Sequence, residues 1–146
     1  MQIVIHLLQI SSFGDQEEFE ITRKTAGSRW RVTFASNTMF GAIHGSEEIT
    51  ALYPPDWLAS TIEHLGILEL KASSELEIPP PEEDNVDTYK ITIYRDKDEK
   101  VIYYFNYDEH VSKYSDVWRA DAFWKLLEYP ILLAGDLDME EDDFEL

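Results

Sequence analysis

"TYKITIYRDKDEKVIYYFNY", residues 88–107, is the stretch whose reading decides the fold. Two β-rich runs, 88–94 and 101–107, flank the polar "RDKDEK" at hairpin distance, which predicts two adjacent antiparallel strands. Alternation places Tyr89, Ile91 and Ile93 on one face of the first strand, and Tyr103, Phe105 and Tyr107 on one face of the second. An aromatic and aliphatic surface would then form across the pair and would need a cover. The next segment, "SDVWRADAFWKLLEYP" (115–130), predicts that cover as an amphipathic helix capped by Ser115. Val117, Ala120, Phe123, Trp124 and Leu127 share its inward stripe, and Pro130 falls just past its expected end.

The N-terminal half has a similar layout. "MQIVIHLLQI" reads as a strand, because it carries neither the basic leader of an export signal nor the length of a membrane span. "EFEITRK" and "RWRVTFA" follow with period-2 apolar positions at Phe19 and Ile21, then Trp30, Val32 and Phe34, so the three runs predict an antiparallel meander. Residues 36–53 show no sustained period and are expected as a structured loop or short helix. "PPDWLASTIEHLG" signals a helix with Pro54 or Pro55 in its first turn, Asp56 at the positive end of the dipole, Leu58, Ile62 and Leu65 inward, and Gly66 as the stop. Beyond it, "EIPPPEEDNVD" combines prolines with acids and is expected as an exposed connection. Strands followed by helices, without strict alternation, favour an α+β class over a doubly wound one. The expectation is one domain over residues 1–135, an antiparallel sheet of about five strands with two principal helices. A flexible acidic tail over 136–146, "DLDMEEDDFEL", would follow it.

The chain of 146 residues has 12 Lys and Arg against 30 Asp and Glu, a formal charge of −18. Such a field disfavours a phosphate backbone as a direct partner and accelerates association with a basic protein. With no cysteine, disulfides and thiolate metal sites are excluded, which agrees with a cytoplasmic location. His6, His44, His64 and His110 lack the i, i+4 spacing of a helical metal site. Asp136, Asp138 and Glu140, and likewise Asp96 and Asp98, alternate as calcium ligands do. The sharp turn, however, needs glycine where Glu141 and Val101 stand. "FGAIHGSEE" has neither the spacing nor the lysine of a phosphate loop, and His44 near Ser46 lacks a nucleophile elbow. Neither a catalytic constellation nor a cofactor or metal is expected.

What remains is surface. Trp57 and Trp118 border the inward stripes of their helices, where each serves either as core or as an aromatic anchor for a partner. The carboxylates Glu82, Glu83, Asp84, Asp108, Glu109, Asp138, Glu140, Glu141, Asp142 and Asp143, with Phe144, would form the rim of such an anchor. In general character the sequence resembles bacterial immunity proteins and proteinaceous enzyme inhibitors, although no motif names a family. The reading is an acidic protein-binding module that neutralises or regulates a basic partner, an enzyme or a toxin, without contacting nucleic acid or membrane. The alternatives are an enzyme with a dispersed active site and a structural or assembly subunit.

Overall fold

The computed structural model describes residues 2–38, 41–81 and 86–144, with backbone alone for 38, 41–44 and 134–144. Six strands form one antiparallel sheet: β1 (Ile3–Ile10), β2 (Gln16–Arg23), β3 (Arg31–Thr38), β4 (Gly41–Gly45), β5 (Thr88–Arg95) and β6 (Asp98–Tyr104). The α+β class and the meander are as expected. The additional strand, β4, lies in the stretch read as a loop or short helix; it pairs with β3 from Phe34↔Gly45 to Thr38↔Gly41. Periodicity could not mark it, because a five-residue edge strand with a glycine at each end leaves almost no pattern.

The order is β4-β3-β2-β1-β5-β6, so the N-terminal strand is central. Leu7 faces Phe19 on one side and Ile91 on the other. The two similar halves therefore share one sheet, and Ile3, Ile5, Leu7, Phe19, Ile21, Val32, Phe34, Ile91, Ile93, Ile102 and Tyr104 bury a common face. In the hairpin the register corrects the expected aromatic face. Arg95 pairs with Asp98 around a two-residue turn in which Asp96 takes φ 51°. Ile102 and Tyr104 consequently oppose Ile91 and Tyr89 on the buried face, whereas Tyr103 points to the other face. Phe105 and Tyr107 lie beyond the strand. Any turn with an even number of residues sets Ile102 and Tyr104, not Tyr103, on the face of Tyr89 and Ile91, and alternation along the second strand alone does not say which of its two faces that is.

Four helices complete the fold: α1 (Glu47–Thr50), α2 (Trp57–Leu65), α3 (Tyr107–Lys113) and α4 (Ser115–Phe144). Gly66 ends α2 at φ 61°, as its position suggested, while Pro54 and Pro55 precede the N-cap Asp56 instead of lying in the first turn. The inward stripe of α4 is as expected: Val117, Ala120, Phe123, Trp124 and Leu127 are buried. Trp124 sets its ring edge-on to Phe19 and Tyr89 at 5.6 and 6.0 Å.

The end of α4 departs from expectation. Pro130 lies inside the helix. Proline removes one ladder N–H and crowds the preceding turn, and there the Tyr53 hydroxyl donates to the Leu127 carbonyl at 2.8 Å. A side chain from the α1–α2 link thus donates one residue beyond Leu126, whose carbonyl is the one that Pro130 cannot serve. The helical backbone continues through Phe144; the segment expected to be a flexible tail falls on residues whose side chains, or whole placement at 145–146, lie outside the described ones.

Of the connection expected to be exposed, Glu77, Pro79, Pro80 and Asp87 are exposed and Ile78 is buried, and Ser73, just before it, pairs with β6. Ser73 donates its N–H to the Val101 carbonyl, and its hydroxyl both donates to the Tyr103 carbonyl and accepts the Tyr103 N–H. Tyr103 in turn donates its hydroxyl to the Ile78 carbonyl at 2.6 Å, and Ile78 is buried. The unpaired edge of β6 is covered this way, an edge that would otherwise invite further strands.

Candidate functional site

Helix α4 carries apolar side chains on two opposite sides. Trp118, Ala122, Leu126, Tyr129 and Leu133 are spaced by four, four, three and four residues, which at 3.6 residues per turn gathers them within an arc of about 80°. This arc lies opposite the stripe that packs on the sheet. Trp118 is 56% and Tyr129 63% exposed, and Leu126, Leu132 and Leu133 are exposed as well. No described residue covers the face.

The described cations of α4 both pair with carboxylates of the same helix. Arg119 pairs with the buried Asp116 at 3.1 Å and donates to the Leu65 carbonyl at the C-terminus of α2, where a positive charge suits the helix dipole. Asp116 also accepts the Lys71 N–H at 2.8 Å. Lys125 pairs with Asp121 at 3.1 Å and lies over the Tyr107 ring. The outer face is thus apolar surface on a protein of formal charge −18.

Asp121 is the centre of a second, inward-facing cluster. It is 4% exposed and accepts hydroxyls from Tyr104 at 3.1 Å and Tyr107 at 2.7 Å beside the Lys125 ammonium. Hydrogen bonds to Tyr107 and Asp121 raise the Lys125 pKa, and burial next to Asp121 raises that of Tyr104. Three donors converge on this carboxylate, so its buried oxygens are satisfied. Glu128, two turns further along α4, differs. Burial first, then the negative charges of Glu17 and Asp121, push its carboxyl up to about 7. Burial and Asp15 raise Glu17 too.

The residues expected to meet a partner separate into groups. Asp108 and Glu109 are exposed on α3, the helix that precedes α4 with its exposed Trp118. Trp57 is elsewhere: half-buried on α2, it stacks on Tyr53 with ring centres 5.2 Å apart. Glu82, Glu83 and Asp84 lie outside the described residues. Asp138, Glu140, Glu141, Asp142, Asp143 and Phe144 continue the backbone of α4, with side chains outside those described. Sequence reasoning missed Leu126, Tyr129, Leu132 and Leu133. The signal was available as a second apolar stripe half a turn away from the first.

The histidines do not converge. His6 contacts Glu18 at 3.0 Å on the open sheet face. His110 is buried, its Nδ1 accepts the Phe105 N–H at 3.3 Å, and burial lowers its pKa. Among the described residues no cluster of three or more His, Asp and Glu could hold a metal ion, and no helix is long and apolar enough to cross a membrane. Compared with known proteins, the sequence matches no family model and no curated protein.

Proposed function

We propose that the protein is an acidic binding module, of inhibitor or immunity type, that neutralises or regulates a basic protein partner in the cytoplasm. The outer face of α4 would receive that partner. The observation that carries the reading is the uncovered stripe of Trp118, Leu126, Tyr129 and Leu133 on a helix whose own cations are internally paired. Exposed aromatics in an electrostatic rim are the usual anchors of an interface, and contiguous apolar surface on a soluble fold marks a contact site. Charge selects the occupant. A second copy would set −18 against −18, and nucleic acid would be repelled likewise, whereas a basic surface is steered in.

The test is capture from native lysate at low and high salt, with the wild type beside Tyr129→Asp and Leu133→Asp. The reading requires a basic protein that the wild type retains, that both variants lose, and that elutes as salt rises. Equal capture by the variants, or a concentration-dependent dimer abolished by them, overturns it. A second reading, an enzyme with a dispersed site, is favoured by Glu128, a carboxyl half-protonated near neutrality beside Tyr89. Turnover of ester, phosphate or glycoside reporters that Glu128→Gln removes would support it.

A further inference from the structure

A cleft of about 560 Å³ lies between the β2–β3 turn and the α1–α2 segment, against about 350 Å³ on the open sheet face and about 300 Å³ beside Tyr107. Its walls are Trp30, Tyr53, Pro54 and Leu58, and two of its charged groups are Arg23 and Arg29. The Arg23 guanidinium lies over the Trp30 ring, 4.6 Å from its centre, and its Nε is buried without a hydrogen-bond partner among the described residues. No ion pair joins Arg23 or Arg29 to a described carboxylate, whereas Arg119 and Lys125 both have one. Among the described lysines and arginines only Arg119 and Lys125 pair with a carboxylate, so what sets Arg23 apart is a buried guanidinium nitrogen left without a described hydrogen-bond partner at the edge of a cleft. The neighbouring cations at that end of the sheet, Arg95 and Lys100, both donate to the Leu68 carbonyl.

We propose that this cleft binds a small monocarboxylate with an apolar body, its carboxylate held by Arg23 with Arg29 as second contact and its body against Tyr53, Pro54 and Leu58. Stacking on Trp30 fixes the plane of the guanidinium, which leaves its edge oriented as a planar fork for a carboxylate. The volume falls within the range of small-molecule sites, and apolar walls with a few convergent polar groups are their usual lining. The protein's own charge decides between anions. A phosphate carries about −1.5 to −2 near neutrality and is repelled roughly twice as strongly as a carboxylate by the surrounding field. Glu47 and Asp56, which also line the cleft, sharpen that preference for a single negative charge.

The experiment is a titration of the full-length protein, followed by amide and indole NMR shifts, with N-acetylphenylalanine and with its amide, which lacks the carboxylate. Saturable shifts at 23–30 and 50–59 with the acid and none with the amide are expected. Arg23→Lys keeps the charge and the stem but loses the fork, so it should weaken binding about tenfold. Arg29→Gln, at an exposed position, should weaken it less. A pentapeptide ending in phenylalanine that shifts the same resonances assigns the C-terminus of a polypeptide as ligand, and a response to the small acid alone assigns a free metabolite. Equal shifts with acid and amide, shifts outside the cleft, or none at millimolar acid overturn the proposal. Should Arg23→Lys not fold, the comparison of acid with amide on the wild type still decides.

Discussion

Replacing Glu128 with Gln should stabilise the protein, and more so at alkaline pH. Burial, reinforced by Glu17 and Asp121, raises this carboxyl from 4.5 to about 7. A carboxyl whose folded pKa lies above its unfolded one holds more protons in the folded state. The stability it lends is complete below about pH 4.5 and is lost as pH rises through about 7. At about 1.36 kcal/mol per pKa unit, the ionised group above about pH 8 costs at most about 3.4 kcal/mol relative to a neutral isostere. Glu128 is half-buried, and solvent screening brings this to roughly 1.5 kcal/mol. At about pH 5.5 the same linkage leaves roughly 0.6 kcal/mol, because the folded group keeps its proton and only the unfolded state has released it. Urea denaturation of both proteins at these two pH values, each above the isoelectric point near 4.3, measures the difference. With a slope of about 2 kcal/mol per molar, the variant's midpoint should rise by roughly 0.7 M at the higher pH and roughly 0.3 M at the lower. Equal gains at both pH values, or a loss at the higher one, would refute the reasoning by showing Glu128 ionised and well paired.

Other perturbations test the packing. Phe123→Ala removes a fully buried ring between α4 and the sheet and should cost about 3–5 kcal/mol; an unchanged denaturation midpoint would reject that placement. Ser73→Ala strips the Tyr103 N–H and C=O of their partner at the β6 edge. It should cost about 1–3 kcal/mol and accelerate amide exchange at Tyr103, while unaltered exchange would count against the edge cover. Gly66→Ala forces a Cβ onto a residue at φ 61° and to 2.8 Å from Arg119 Nη1, for a thermal-stability loss of about 1–3 kcal/mol. Truncation after Gly135 should leave thermal stability nearly unchanged and produce a salt-sensitive loss of affinity for the captured partner; equal affinity with and without 136–146 removes that segment from the interface.

The α+β class, the meander of β1 to β3, the hairpin of β5 and β6, and the inward stripe of α4 were legible in the sequence, because each is a local periodicity. A period of 2 or 3.6 is set by backbone geometry within a few residues and needs no distant partner to be seen. Gly66 was legible for the same reason, as a left-handed stop that glycine enters without strain. The net charge is a sum over residues and owes nothing to the fold. What the tertiary structure decided depends on neighbours far apart in sequence. The hairpin register paired Tyr104 with Tyr89 and Ile102 with Ile91, which set Tyr104 inward and Tyr103 on the other face. β1 became the central strand only by pairing with β5 across more than half the sequence. Ile78 was buried by the hydroxyl of Tyr103, although its flanking prolines and acids read as exposed. The candidate interface shows the division most clearly. The apolar identity of Leu126, Tyr129 and Leu133 is in the sequence, yet a helix with two apolar sides does not say which one meets the core. Packing against the sheet chose the side with Phe123 and Trp124 and left the other uncovered. The cleft at Arg23 likewise exists only because the fold brings the β2–β3 turn against the α1–α2 segment and leaves the Arg23 Nε buried there without a described hydrogen-bond partner.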